Sequence, residues 1–159
     1  MNFDIVEIAE FSGDKAKIYS IMLEGYDDTL LDQFFDENQQ YEEELEEIAA
    51  RLLTMGDYTG CRIQFFKEHE GVPGDGVVAL WHNRLRLYCL RFDNTCIFIG
   101  SGGFKPTDIS AYQDNPLLNA KAQQMKAIAA SINKAIIEKD LKVLEDGTLE
   151  KSDFLNLEI

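Results

Sequence analysis

Apolar residues sit at positions 3, 5, 6, 8 and 11 of the opening segment and dominate Ala16-Lys-Ile-Tyr-Ser-Ile-Met-Leu23. Ser12-Gly13-Asp14 separates the two runs, so the pattern predicts a β-hairpin. The period then lengthens. Leu30, Leu31, Phe34, Phe35, Tyr41, Leu45, Ile48, Ala49, Leu52 and Leu53 recur at helical spacing. Asp27-Asp28-Thr29 is a candidate N-cap, and Gly56 is the candidate C-terminal stop. Asn38-Gln39-Gln40 lacks apolar residues and marks a break into two helices. Strand-like segments follow at 61–67, 77–81, 84–92 and 95–99. They are joined by a glycine-rich loop ending at Gly76, a His82-Asn83 turn and an Asp93-Asn94 turn. Asn115-Pro116 opens a last helix to about Glu138, with the stripe Leu118, Ala122, Met125, Ile128, Ala129, Ile132 and Ile136. Asp146-Gly147 predicts a final small hairpin. This order describes one α+β domain, an antiparallel sheet packed by helices. Its parts are an N-terminal hairpin (1–26), a core (27–139) and a C-terminal tail (140–159).

Length and composition fit that picture. A chain of 159 residues, 45% hydrophobic, suffices for one real core. No apolar run approaches the roughly 18–20 residues a membrane span needs, and no signal-peptide pattern opens the chain, so a cytoplasmic protein without a membrane partner is expected. Cys61, Cys89 and Cys96 lie in apolar settings at no metal-ligand spacing and read as buried thiols; no metal and no cofactor is expected.

Charge changes the picture more. The net charge is −14, but residues 1–60 carry 16 acidic against 3 basic side chains, whereas residues 61–105 carry 4 acidic against 6 basic. Nucleic-acid affinity rests on cations that displace counterions, so only the middle third is suited to it. The glutamates at 42, 43, 44, 46 and 47 form a solvated helix face or a docking face for a basic partner; one helix face is not a metal cage. Gly100-Ser-Gly-Gly-Phe-Lys105 fits neither the Walker nor the dinucleotide pattern, and its glycines are expected to let the chain leave the sheet edge. His69 and His82 have no local catalytic partners and read as surface histidines. In the strand 84–92, period two places Arg84, Arg86 and Tyr88 on one face and Leu85, Leu87 and Cys89 on the core face. Arg91 has the apolar parity and belongs to the strand end. An exposed row of guanidiniums and a phenol suits phosphate and base binding; pairing with the acidic helix is the alternative.

Four pieces in order carry a resemblance: Phe65-Phe-Lys67-Glu-His-Glu-Gly71, Gly76-Val-Val-Ala-Leu80, Arg84-Leu-Arg-Leu-Tyr-Cys-Leu90 and Phe98-Ile-Gly-Ser-Gly-Gly-Phe-Lys105. Together they resemble the RelE/ParE superfamily of toxin–antitoxin toxins, nearest its HigB-like, phage-derived branch. The resemblance implies a RelE-like core with an added N-terminal hairpin, a metal-independent endoribonuclease acting on mRNA at the ribosome, and a cognate antitoxin as partner. It implies Lys67, Arg84, Arg86, Tyr88 and Lys105 as catalytic residues, with Arg62, His69 and Arg91 as further RNA contacts. The arginines suit charge on the phosphoryl oxygens, Lys67 or His69 the base, and Tyr88 base stacking or the leaving group. The family's second lysine after Gly-Phe-Lys is Pro106 here, and family toxins are usually basic. The alternative is a noncatalytic member of that fold that binds a protein through Glu42–Glu47.

Overall fold

A computed structural model describes residues 1–67, 75–106 and 115–159. Among them the chain is α+β. Strands β1 (Phe3–Glu7), β2 (Lys17–Leu23), β3 (Phe66–Lys67), β4 (Val77–His82), β5 (Leu85–Asp93) and β6 (Cys96–Phe104) form one sheet in the order β1-β2-β6-β5-β4-β3. Helices α1 (Leu30–Glu37) and α2 (Glu42–Thr54) cover one face, and α3 (Pro116–Ile137) covers the other. A small hairpin, β7 (Leu141–Val143) with β8 (Leu149–Lys151), follows α3.

The sheet departs from the expected antiparallel arrangement at one pairing. β2 runs parallel to β6, from Lys17 opposite Cys96 to Ser20 opposite Ile99. The N-terminal hairpin is therefore part of the main sheet rather than an appendage. Ser20 ends the pairing: its hydroxyl donates to Ile99 O (2.8 Å) and accepts from Leu31 N (3.1 Å), which passes the free side of β6 to α1. The C-terminal segment is also integrated, because Phe3 N donates to Leu157 O and Leu157 is buried.

Local chemistry sets the helix ends. Thr29 Oγ1 accepts from Asp32 N, and Asn115 Oδ1 accepts from Leu118 N, so both are side-chain N-caps. The polar break at 38–40 becomes a short 3₁₀ turn. Gly56 does not stop α2. The chain continues through a π-type turn, Met55–Thr59, and turns out at Gly60, where φ is +76°. Gly56 is glycine for another reason: a Cβ there would meet Phe11 O at 1.9 Å.

Two apolar layers result. Leu31, Phe34, Leu45, Ile48 and Leu52 pack on Leu80, Leu85, Leu87, Cys89 and Ile99. Leu118, Ala122, Met125, Ile128 and Ile132 pack on Ala79, Tyr88, Leu90 and Phe98. Both faces of the central strands are thus covered. The glycines of β6 serve this packing rather than an exit from the sheet, since β6 continues to Phe104. A Cβ on Gly100 would stand 2.6 Å from Met125 Sδ, and one on Gly102 would stand 1.9 Å from Arg86 O. Leu87 faces Gly102 and Cys89 faces Ile99, so Tyr88 stands opposite a bulge at Gly100-Ser101.

Candidate nucleic-acid interface

Four of the six cations of residues 61–105, Lys67, Arg84, Arg86 and Lys105, gather at one end of the sheet, on the α3 face. Register places them on neighbouring rungs. Lys67 pairs with Ala79, which pairs with Tyr88. One rung on, Trp81 pairs with Arg86 and Arg86 with Gly103. Last, Lys105 N donates to Arg84 O (2.7 Å), which sets Lys105 beside Arg84. Gly103 leaves the middle rung without a side chain on β6, and the nearest atom a Cβ there would meet is Leu118 Cδ2 at 3.5 Å.

The exposed row expected from strand parity is not exposed. Arg86 is 2% accessible, Tyr88 is wholly buried and Lys105 is 9% accessible. Parity separated the two faces of β5 correctly, but α3 covers the face that carries Arg86 and Tyr88. Arg86 is held by backbone oxygens: Nη1 donates to Asn83 O (2.8 Å) and Leu85 O (3.2 Å). Half-buried Arg84 donates from Nε to Lys105 O (2.8 Å) and from Nη2 to Pro106 O. These bonds tie the end of β6 to the start of β5. Arg91 is structural as well, donating to Cys61 O and to Asn94 Oδ1 at the far end of β5, both at 2.6 Å. Arg62 is exposed beside a short 3₁₀ turn. His69 lies outside the described residues.

The rim of this end is built around Trp81, which is half-buried. Lys67 Nζ stands 4.3 Å from the indole centroid, and the guanidinium carbons of Arg86 and Arg51 stand at 5.7 and 5.8 Å. At a partly exposed site such a contact is worth about 0.5–1 kcal/mol, less than a charge-assisted bond to phosphate at about 1.5–3 kcal/mol. Arg51 arrives from α2 and donates from Nη1 to Trp81 O. Its Nη2 lies 3.2 Å from His82 Nδ1. A guanidinium only donates, so Nδ1 is the acceptor of this contact.

Arg51, Trp81 and His82 as a group were not anticipated from the sequence, although two signals were there. Arg51 is the sole cation between Asp27 and Gly60, and Trp81 is the sole tryptophan of the chain. Neither signal says where the residue points, because Arg51 crosses from helix to strand only through the packing of α2 on β4.

The acidic helices α1 and α2 cover the other face. Among the described residues no α2 carboxylate pairs with Lys67, Arg84, Arg86 or Lys105; Glu44 instead accepts from Asn83 Nδ2 (3.4 Å) at the β4–β5 turn, and Glu37 pairs with Lys121. The three thiols are buried. Burial pushes Cys61 up to about 12 and raises Cys89 and Cys96 further, so none is a nucleophile at neutral pH. No three His, Cys, Asp or Glu side chains converge as metal ligands among the described residues, and no helix there is long and apolar enough to cross a membrane. A groove of about 520 Å³ beside Ser131, Lys134, Glu138 and Phe154 belongs to the other end of α3. Comparison of the chain with family models, curated proteins and solved structures finds no match.

Proposed function

We propose that this chain is a RelE/ParE-like RNA-binding protein whose activity is that of a HigB-like toxin: cleavage of mRNA at the ribosome, held in check by an antitoxin. The observation that carries the reading is the gathering of Lys67, Arg84, Arg86 and Lys105 on adjacent rungs of one sheet end, on the face turned away from α1 and α2. In a chain of net charge −14, that separation sets these cations apart from the acidic helices. The order of elements agrees, with a helical pair before the arginine-bearing strand and the glycine-bearing strand before a long helix. On this reading Lys67 and the rim contact phosphate. Arg84 and Arg86 act as positioning residues, through the carbonyls that hold the ends of β5 and β6 together.

A second reading, a noncatalytic RNA- or protein-binding member of that fold, is favoured by the burial of Arg86 and Tyr88, which leaves Tyr88 away from a leaving group. Induced expression in bacteria, with growth and mRNA 5′ ends followed, separates the two. Toxin activity predicts arrest and new 5′ ends, abolished in Lys67→Ala at unchanged melting temperature. Normal growth with intact mRNA overturns the toxin reading and leaves the binding module.

A further inference from the structure

We infer that the groove between α3 and the C-terminal segment is a self-association surface, in which Phe154 of each of two copies seats on the α3 of the other. The inference is independent of the RNA-binding reading above.

The groove, of about 520 Å³, has a floor of small residues, Ala127, Ala130 and Ser131 on α3, and a wall that carries Phe154. Phe154 is 84% exposed, the most of any large apolar side chain among the described residues. Its neighbours Leu155 and Leu157 pack on the core, and Glu158 N donates to Ser131 Oγ (3.2 Å), so the wall is fixed beside the helix. The ring is thus held out toward solvent at the edge of a hollow that small side chains leave open. Charge follows the same pattern. Lys134, Glu138 and Glu158 line the groove, and none of them has an ion-pair partner among the described residues. A ring seated on the facing floor brings Glu158 of its own copy toward Lys134 of the other. One surface therefore holds the aromatic anchor, the hollow that fits it and both signs of charge. A surface complementary to itself closes about a two-fold axis, each copy giving and receiving the same contact. Repulsion between two chains of net charge −14 is eased along α3, which carries Lys121, Lys126 and Lys134 and no carboxylate. A helix side about 33 Å long and about 10 Å wide falls short of the roughly 800 Å² per partner of a standard interface, so micromolar association is expected.

Sedimentation of the full chain between about 5 and about 500 µM, at about 0.15 M salt, measures the association. The expected result is a mass that rises from one chain toward two and stops there. Phe154→Ser and Ala130→Glu should each weaken association about ten-fold or more. Both should leave the melting temperature unchanged, because both side chains are exposed. Lys134→Glu and Glu158→Lys should each weaken association as well. An equimolar mixture of those two variants should restore it, since the mixed pair regains opposite charges at both contacts. The mass of a single chain at every concentration overturns the inference. So does growth past two copies, which marks a head-to-tail contact. Dimers unaffected by Phe154→Ser belong to another face and overturn it too. A mixture that associates no more tightly than its separate components overturns the reciprocal pairing, and the two-fold with it.

Discussion

Leu85, Leu87 and Cys89 project from β5 toward α1 and α2, while Arg86, Tyr88 and Leu90 project toward α3. All six are buried to nearly the same degree. The first face is apolar from end to end. The second changes along its length, apolar at Leu90 and cationic at Arg86 and Arg84. Accessible area does not separate the two faces; the disposition of hydrogen bonds does. On the α3 face the carbonyls of Asn83 and Leu85 accept from Arg86 Nη1, and Gly103 beside it makes room. A buried cation held in this way can fix a shape, whereas Lys67, Arg51 and Trp81 stand less buried at the edge.

The largest effect that would sharpen this contrast is expected at the glycines. Gly102→Ala should cost about 2–4 kcal/mol by chemical denaturation, because its Cβ meets Arg86 O, a backbone atom. Gly103→Ala, which meets only the end of the Leu118 side chain, should cost under about 1 kcal/mol. Equal costs would break the argument that the two positions face different neighbours. Arg86→Met should cost about 1–3 kcal/mol in the same assay, since the Asn83 and Leu85 carbonyls lose their donor. If it is neutral, that end of the α3 face needs volume and not hydrogen bonds.

Alkaline titration compares both layers at once. An unfolded thiol ionises near 9.0, whereas Cys61 ionises near 12, and Cys89 and Cys96 are raised further by burial. The unfolded chain loses these protons first, so stability should hold below pH 9 and decline as pH climbs toward 12. Cys61 should be alkylated first, and early reaction of Cys96 would reveal a loose α3 layer. The smallest stability change is expected for Lys67→Ala, within about 0.5 kcal/mol, because the side chain is only half-buried, at the edge of the sheet. A large loss of RNA affinity with that small change would mark Lys67 as a ligand contact. A large loss of stability would instead return it to the frame.

Much of the scaffold was legible where a side chain makes its own local argument. Of the expected cap Asp27-Asp28-Thr29 it is Thr29 that caps α1, Asn115-Pro116 opens α3 as expected, and Asp93-Asn94 turns β5 into β6. The polar gap at 38–40 did divide the first helical region. Gly56 misled because glycine marks both a helix stop and a close approach, and only the neighbouring Phe11 carbonyl tells which. Exposure of Arg86 and Tyr88 was illegible for a related reason. Period two says that the faces of a strand differ, not that either meets water. A better guide lay in the unbroken apolar runs Val77-Val-Ala-Leu80 and Cys96-Ile-Phe-Ile99, which are the mark of strands covered on both sides. The site was half legible: the cations do converge, but the residues at its rim come together only through α2 crossing β4.

The parallel pairing of β2 with β6 also has a consequence in time. Ser20 and Ile99 are 79 positions apart, so β2 leaves the ribosome long before its partner has been made. At typical elongation rates that interval is on the order of 4–16 s. Through it the segment Ile18–Leu23 can be sheltered by β1 on one side only, with its other edge bare. Non-local pairings of this kind are slow to form and expose the chain to wrong partners. A nascent chain halted before Cys96 should therefore be more open to protease at β2 than one released past Phe104. The strand that completes the candidate site is also the strand that ends this vulnerability.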